Sequence, residues 1–268
     1  MQKPKRKKPA QEKGAAKEQK GQTPDTSPKV YQREKIDWTL NIRELPWTEK
    51  QKAFLTLANH KDTRVIFLTG PAGSSKSTVA VRAALELLNQ KKISDLICVR
   101  AAVESGDTKL GMLPGDVDDK LGEYMTPFGD KLEEMLCTPD RMKLKAENRI
   151  IYKPVNFCRG ASWTAKCIIV DEAQNLTLNE LQTLMTRIGK FSKLIICADP
   201  DQSDLPYNKQ GGFTTCAKIF DTELAQGMGI FSAKFTKDDI VRSELCKFIV
   251  ETFDDYKQTL PPPVHPKH

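Results

Sequence analysis

Gly70-Pro71-Ala72-Gly73-Ser74-Ser75-Lys76-Ser77 follows the apolar run Val65-Ile66-Phe67-Leu68-Thr69 and precedes the helical pattern Val79-Ala80-Val81-Ala83-Ala84-Leu85-Leu87-Leu88. A buried strand, a turn whose N–H groups can converge on an anion and a helix N-terminus aimed at the same point make a phosphate-binding loop. Its residues from Gly70 to Thr78 (Gly70, Pro71, Ala72, Gly73, Ser74, Ser75, Lys76, Ser77, Thr78) are the expected cradle for a nucleotide. Lys76 is expected to reach the β- and γ-phosphates of ATP, and the Ser77 hydroxyl to hold the Mg2+ that bridges them. Ser75 stands where glycine is usual. It is expected to keep a negative φ, with its side chain turned away or donating to a phosphate.

Working outward, strands and helices alternate, which makes the chain α/β. Asp95-Leu96-Ile97-Cys98-Val99-Arg100 reads as a second buried strand, and Arg149-Ile150-Ile151-Tyr152-Lys153-Pro154-Val155 as an edge strand because of its proline. Cys167-Ile168-Ile169-Val170 ends in two carboxylates, Asp171 and Glu172. Asp171 is the expected partner of Ser77 in holding Mg2+, and Glu172 the expected base for water attacking the γ-phosphate. A further strand, Lys193-Leu194-Ile195-Ile196-Cys197-Ala198, leads to Asp199-Pro200-Asp201-Gln202, where the Gln202 amide suits a hydrolysis sensor. Thr177-Leu178-Asn179-Glu180 is a capping box for a helix expected to reach Ile188 and close at Gly189. Thr236-Lys237-Asp238-Asp239 is expected to cap a long last helix. Upstream, a helix opens at Thr48, and its Gln51 resembles the adenine-contacting glutamine of helicases.

The 268 residues are expected to divide into a disordered basic tail (1–37), one ATPase domain (38–258) and a Pro-rich tail (259–268). Residues 1–29 carry nine basic side chains against three acidic ones, so most of the formal net charge of +7 sits there. With almost no apolar residues, that tail cannot offset its ordering entropy. It suits nucleic-acid phosphates, nuclear addressing through Lys5-Arg6-Lys7-Lys8, or solubility alone. None of the seven cysteines has zinc-ligand spacing, which suits reduced core thiols in a cytoplasmic protein. With three histidines, two of them in the C-terminal tail, histidine base catalysis is not expected. No apolar stretch approaches the length of a membrane span.

Together these residues resemble the PhoH-like ATPases, relatives of the RecA-like core of superfamily 1 helicases. The resemblance runs through Arg100-Ala-Ala-Val-Glu104-Ser-Gly106, Gly111-Met-Leu-Pro-Gly115-Asp116, Phe157-Cys-Arg159-Gly160, Val170-Asp171-Glu172-Ala173-Gln174-Asn175, Thr186-Arg187-Ile-Gly189 and Asp199-Pro-Asp-Gln202-Ser-Asp204-Leu205-Pro206. Ser75, Ala198, Ser162 and Trp163 depart from the pattern. The resemblance implies a RecA-like P-loop NTPase: a mostly parallel sheet, helices on both faces, and the sensor strand between the loop strand and the Asp171 strand.

Two functional classes follow. One is an oligomeric, ring-forming ATPase that remodels single-stranded nucleic acid, RNA favoured; the other is a nucleotide-gated interaction module with little turnover. Glu172, Gln202 and the basic tail favour the first, and Ser75 and Ala198 the second. A kinase is disfavoured, since Asp171-Glu172 suits water activation and no lid-type arginine cluster is evident. With one RecA-like core, unwinding is expected to need an oligomer. No arginine lies near Lys76, Asp171 or Gln202 in sequence, so Arg242 is the expected finger supplied by a neighbouring subunit, with Arg187 as its rival.

Overall fold

Six parallel strands in the order β3-β2-β4-β5-β1-β6 form the centre of the protein in a computed structural model that describes residues 33–101, 117–206, 209–241 and 244–259. In chain order the elements are α1 (Glu49–Asn59), β1 (Val65–Thr69), α2 (Lys76–Asn89), β2 (Asp95–Arg100), α3 (Val117–Met135), α4 (Thr138–Ala146) and β3 (Ile150–Pro154). They continue with β4 (Lys166–Asp171), α5 (Leu178–Met185), β5 (Lys193–Ala198), α6 (Gly212–Ile219), α7 (Glu223–Gly227), β6 (Ile230–Lys234) and α8 (Glu244–Thr259). The expected basic tail up to residue 32, residues 102–116 and the Pro-rich end from 260 lie outside the described residues.

The architecture is that of a RecA-like P-loop NTPase, with β5 hydrogen-bonded to β1 on one side and β4 on the other. Strands buried on both faces need apolar residues at every position, which is why β1, β4 and β5 read as continuous runs. Ile66, Leu68, Ile169 and Ile195 pack on one face with α1 and α2, among them Phe54, Val81 and Leu85. Val65, Phe67, Ile168 and Ile196 pack on the other with Leu181, Leu184 and Phe213 of α5 and α6. β3, the strand carrying Pro154, lies at an edge, where a missing N–H costs no ladder bond.

The packed chain already includes Arg33 and Ile36, ahead of Trp38, where the composition turns globular. Ile36 is buried, and Arg33 Nη1 lies 2.7 Å from Oδ1 of the buried Asp95, which Lys166 also approaches. Cys98, Cys167 and Cys197 are core thiols; burial pushes Cys167 up to about 12, well out of the reactive range. No helix among the described residues is long and apolar enough to cross a membrane.

Two helix ends differ from expectation. α5 stops at Met185 with Thr186 as its C-cap, and Gly189 does not close it. Gly189 instead donates its N–H to the Trp163 carbonyl beside a Trp163–Ile188 bridge, so close that a Cβ would clash with that carbonyl. The capping box at Thr236 and Asp239 forms, but around a single 3-10 turn (Lys237–Asp239). Ile240 turns extended (φ −74, ψ 105), so the turn at Asp239 does not run on into the long helix, α8.

Candidate functional site

β1 delivers the phosphate loop at the carboxyl edge of the sheet, where ligands of open α/β sheets bind. Gly70 is required by packing: a Cβ there would stand 2.8 Å from Phe235 Cβ and from Ser74 Oγ. Gly73 turns the chain with φ +81. Ser74 is buried and folds back, its N–H and Oγ both donating to the Pro71 carbonyl. Ser75 is the N-cap of α2 at φ +60 and makes no side-chain cap bond, which leaves the first N–H groups of α2 free for an anion.

The negative φ expected of Ser75 is therefore corrected: it occupies the left-handed region that its Cβ disfavours. Replacing it with glycine removes that strain at some cost in chain entropy. Ser75→Gly is expected to raise stability by about 0.5–1 kcal/mol, read as a higher urea midpoint with unchanged slope. A lower midpoint would mean that the hydroxyl holds the loop.

Lys76 Nζ donates to the carbonyls of Gly70 (2.7 Å) and Pro71 (2.9 Å), so its ammonium is held over the loop. Ser77 Oγ donates to Asp171 Oδ1 at 2.5 Å, which brings the two expected Mg2+ residues together from the first turn of α2 and the end of β4. Glu172 follows in a left-handed conformation, φ +54. Gln174 Nε2 donates to Glu172 Oε2 (2.6 Å), while Gln174 Oε1 accepts from the Asp199 N–H (3.0 Å). A buried amide thus joins the expected base to the loop after β5. Asn175 and Asp204 exchange two hydrogen bonds, and Ser203 donates to the Gln174 carbonyl, fastening the same two loops.

A cavity of about 450 Å³ opens between these loops. Ala72, Gly73, Ser75, Lys76, Ser77 and Thr78 line it, facing Asp171, Glu172 and Gln202. Gly70, Pro71 and Ser74 do not line it. Ala198 ends β5 in regular pairing with Thr69 and is buried in the core, so an alanine fits there without strain.

Gln51 is not at the cavity. Fully buried, its amide accepts from the Thr48 N–H and donates to the carbonyls of Ser74 and Asp239, both at 3.2 Å. With every hydrogen of that amide engaged, no edge is left for an adenine in this arrangement. Arg187, just past the end of α5, donates to Thr183 O and to Oγ1 of the C-cap Thr186 and does not line the cavity. Arg242 lies outside the described residues, although Val241 before it lines the cavity.

Arg100, by contrast, was not expected here. It ends β2 in register with Asp171, lines the cavity, and its Nη2 lies 3.9 Å from Glu172 Oε1. Proximity in sequence identifies no arginine for this site; the β2–β4 pairing supplies Arg100, because strand pairing brings together what sequence separates. Lys131 of α3 lines the cavity as well, and nothing in its helical pattern signals that.

Residues 45–254 match the family model for PhoH-like protein. The chain belongs to the PhoH-like family. A PhoH-like protein of Synechocystis is 33% identical over 219 residues, 82% of this chain and 65% of that protein. The PhoH-like protein of Bacillus subtilis is 33% identical, covering 77% of this chain and 63% of its own length. Protein PhoH of Escherichia coli is 31% identical, with 69% and 51% covered. The match thus spans about half to two thirds of the length of these PhoH-like relatives. Among solved structures, the large terminase of a thermophilic bacteriophage aligns over 81% of this chain and 51% of its own, at a TM-score of 0.45 and 13% identity. The Pif1 helicase of Candida albicans aligns over 72% and 40%, at 0.35 and 14%.

Proposed function

We propose that this PhoH-like chain binds ATP with Mg2+ and hydrolyses it, acting as an oligomeric remodeller of single-stranded nucleic acid, RNA favoured. The observation that carries the reading is the convergence of Lys76, Ser77, Asp171 and Glu172 on one cavity. The N–H groups at the start of α2 would take phosphate oxygens, and Lys76 would exchange its two loop carbonyls for the β- and γ-phosphates. Ser77 and Asp171 form an all-oxygen, partly buried pair that fits Mg2+. Bound there, the ion would neutralise charge on the phosphates.

Glu172 accepts the proton of the attacking water. Gln174 holds one of its carboxylate oxygens and so sets the direction of the other. Since Gln174 also bonds the Asp199 N–H, loss of the γ-phosphate near Gln202 has a short route back to the base. Ser75 and Ala198, the two departures that favoured a module without turnover, remove no catalytic group. An oligomer is supported by α8, whose Leu245, Phe248, Ile249, Phe253 and Tyr256 recur at helical spacing and are all exposed.

The test is the ATPase rate with and without single-stranded RNA, single-stranded DNA and duplex across a salt series. Single strands are expected to stimulate turnover. Tight ATP binding with no stimulation by any of them would return the gated module. Deleting residues 1–29 is expected to lower the log–log salt slope of strand binding by about 0.7 per lost phosphate contact, with basal ATPase unchanged. An unchanged slope would assign the tail to solubility or addressing.

A further inference from the structure

At the amino edge of the sheet, away from the nucleotide cavity, basic side chains from three segments meet. Arg64 precedes β1 and Lys193 opens β5, adjacent because Val65 is in register with Leu194. Helix α2 returns from the phosphate loop and ends here at Asn89, followed by Lys91 and Lys92, and Lys61 comes from the turn after α1. These residues surround an open cavity of about 460 Å³ whose wall also carries Phe191, 62% exposed at φ +61.

Among the described residues none of these five cations is in an ion pair. Asp62 is a countercharge beside Lys193, and its carboxylate lies 3.9 Å from His60 Nδ1. Lys193 donates to the carbonyls of His60 and Thr63, while burial, and after it the charges of Lys92 and Arg64, lower its pKa to about 8. The end of α2 accounts for part of the cluster. Lys91 and Lys92 bond back to Leu88 and Leu87 and suit the negative pole of the helix. That role explains neither Lys61 nor Arg64, and it gives no use to an exposed aromatic ring on the same wall.

We propose that this pole is a second ligand site, a binding surface for single-stranded nucleic acid. Lys61, Arg64, Lys91 and Lys92 take the phosphates and Phe191 stacks on a base. Alternation of cations with an aromatic plane matches a chain that alternates phosphates with bases. A duplex keeps its bases stacked on each other and gains nothing from the ring. An acidic peptide would use the charges and leave the ring idle. A lipid surface would need the ring to project, whereas Phe191 lines a hollow. The proposal shares only its ligand class with the function above. A strand held at this pole is tethered to the protein, at the end of the sheet opposite the site of hydrolysis.

The experiment uses the full chain and a fluorescent oligouridine, with anisotropy read across a salt series. Changing Lys61, Lys91 and Lys92 together to Gln is expected to lower the salt slope by about 2, at 0.7 for each contact. Phe191→Ala is expected to weaken binding about tenfold at an unchanged slope, and Phe191→Tyr to retain affinity. ATP affinity and basal ATPase stay as in the parent. Should the lysine variant fail to fold, the Phe191 pair carries the test alone. Strand-stimulated ATPase with binding unaltered in every variant would overturn this site and leave the proposed function standing. Absence of any strand binding by the parent would overturn both. Loss in the lysine variant without loss in Phe191→Ala, or equal binding to phosphatidylserine vesicles, would overturn the nucleic-acid assignment.

Discussion

Changing Glu172 to Gln is expected to slow ATP turnover by about 10²–10⁴-fold, the usual worth of a positioned base, while ATP affinity stays near that of the parent. The substitution keeps shape and keeps an acceptor for Gln174, so the link to Asp199 survives. It removes only the proton acceptor. Lys76→Ala is expected to act on the other step: loss of a charged donor to phosphate costs about 1.5–3 kcal/mol, or roughly 10–100-fold in affinity. A fluorescent ATP analogue measures binding, and single-turnover hydrolysis measures chemistry. Equal loss of affinity in the two variants would sink the assignment of base and phosphate clamp. Full turnover in Glu172→Gln would do the same for the base alone.

The parts of this site that were legible in the sequence are those carried by short stretches. Strand, turn and helix around Lys76 are contiguous, and a buried strand ending in Asp171-Glu172 announces itself by its apolar run. Their meeting could be read because parallel strands in an open sheet bring their carboxyl ends to one edge. What escaped depends on pairing or on small backbone choices. Arg100 ends a strand as plainly as Asp171 does. Only the β2–β4 register places it against Glu172. Gln51 looked like a ligand contact because its position upstream of the loop fits one, yet as the third residue of α1 it completes a capping box with Thr48. Gly189 looked like a helix stop and is a close-approach glycine beside Trp163. Ser75 shows the limit of a steric rule, since the loop holds a Cβ residue in the left-handed region where glycine would be unstrained.

Subunit mixing is expected to separate two arginines. Arg100 lines the cavity on the same chain as Glu172, and Nη2 lies 3.9 Å from the carboxylate. A mixture of Arg100→Ala with Glu172→Gln should therefore gain nothing, because each subunit's own site lacks one of the two groups whatever its neighbour carries. Arg242 is proposed to act on a neighbour's γ-phosphate, and its loss is expected to cost on the order of a thousandfold in turnover. Mixed equally with Glu172→Gln, Arg242→Ala should recover activity to at most about a quarter of the parent rate, since in a head-to-tail ring that share of interfaces pairs an intact base with an intact finger. Lysine in place of Arg100 tests its geometry: a point charge keeps the attraction to Glu172 but loses the planar fork. Recovery in both mixtures would make Arg100 a residue of the shared interface. Recovery in neither, from an oligomer shown to be mixed, would remove the finger in trans and leave Arg100 as the cation that meets the charge building on the γ-phosphate.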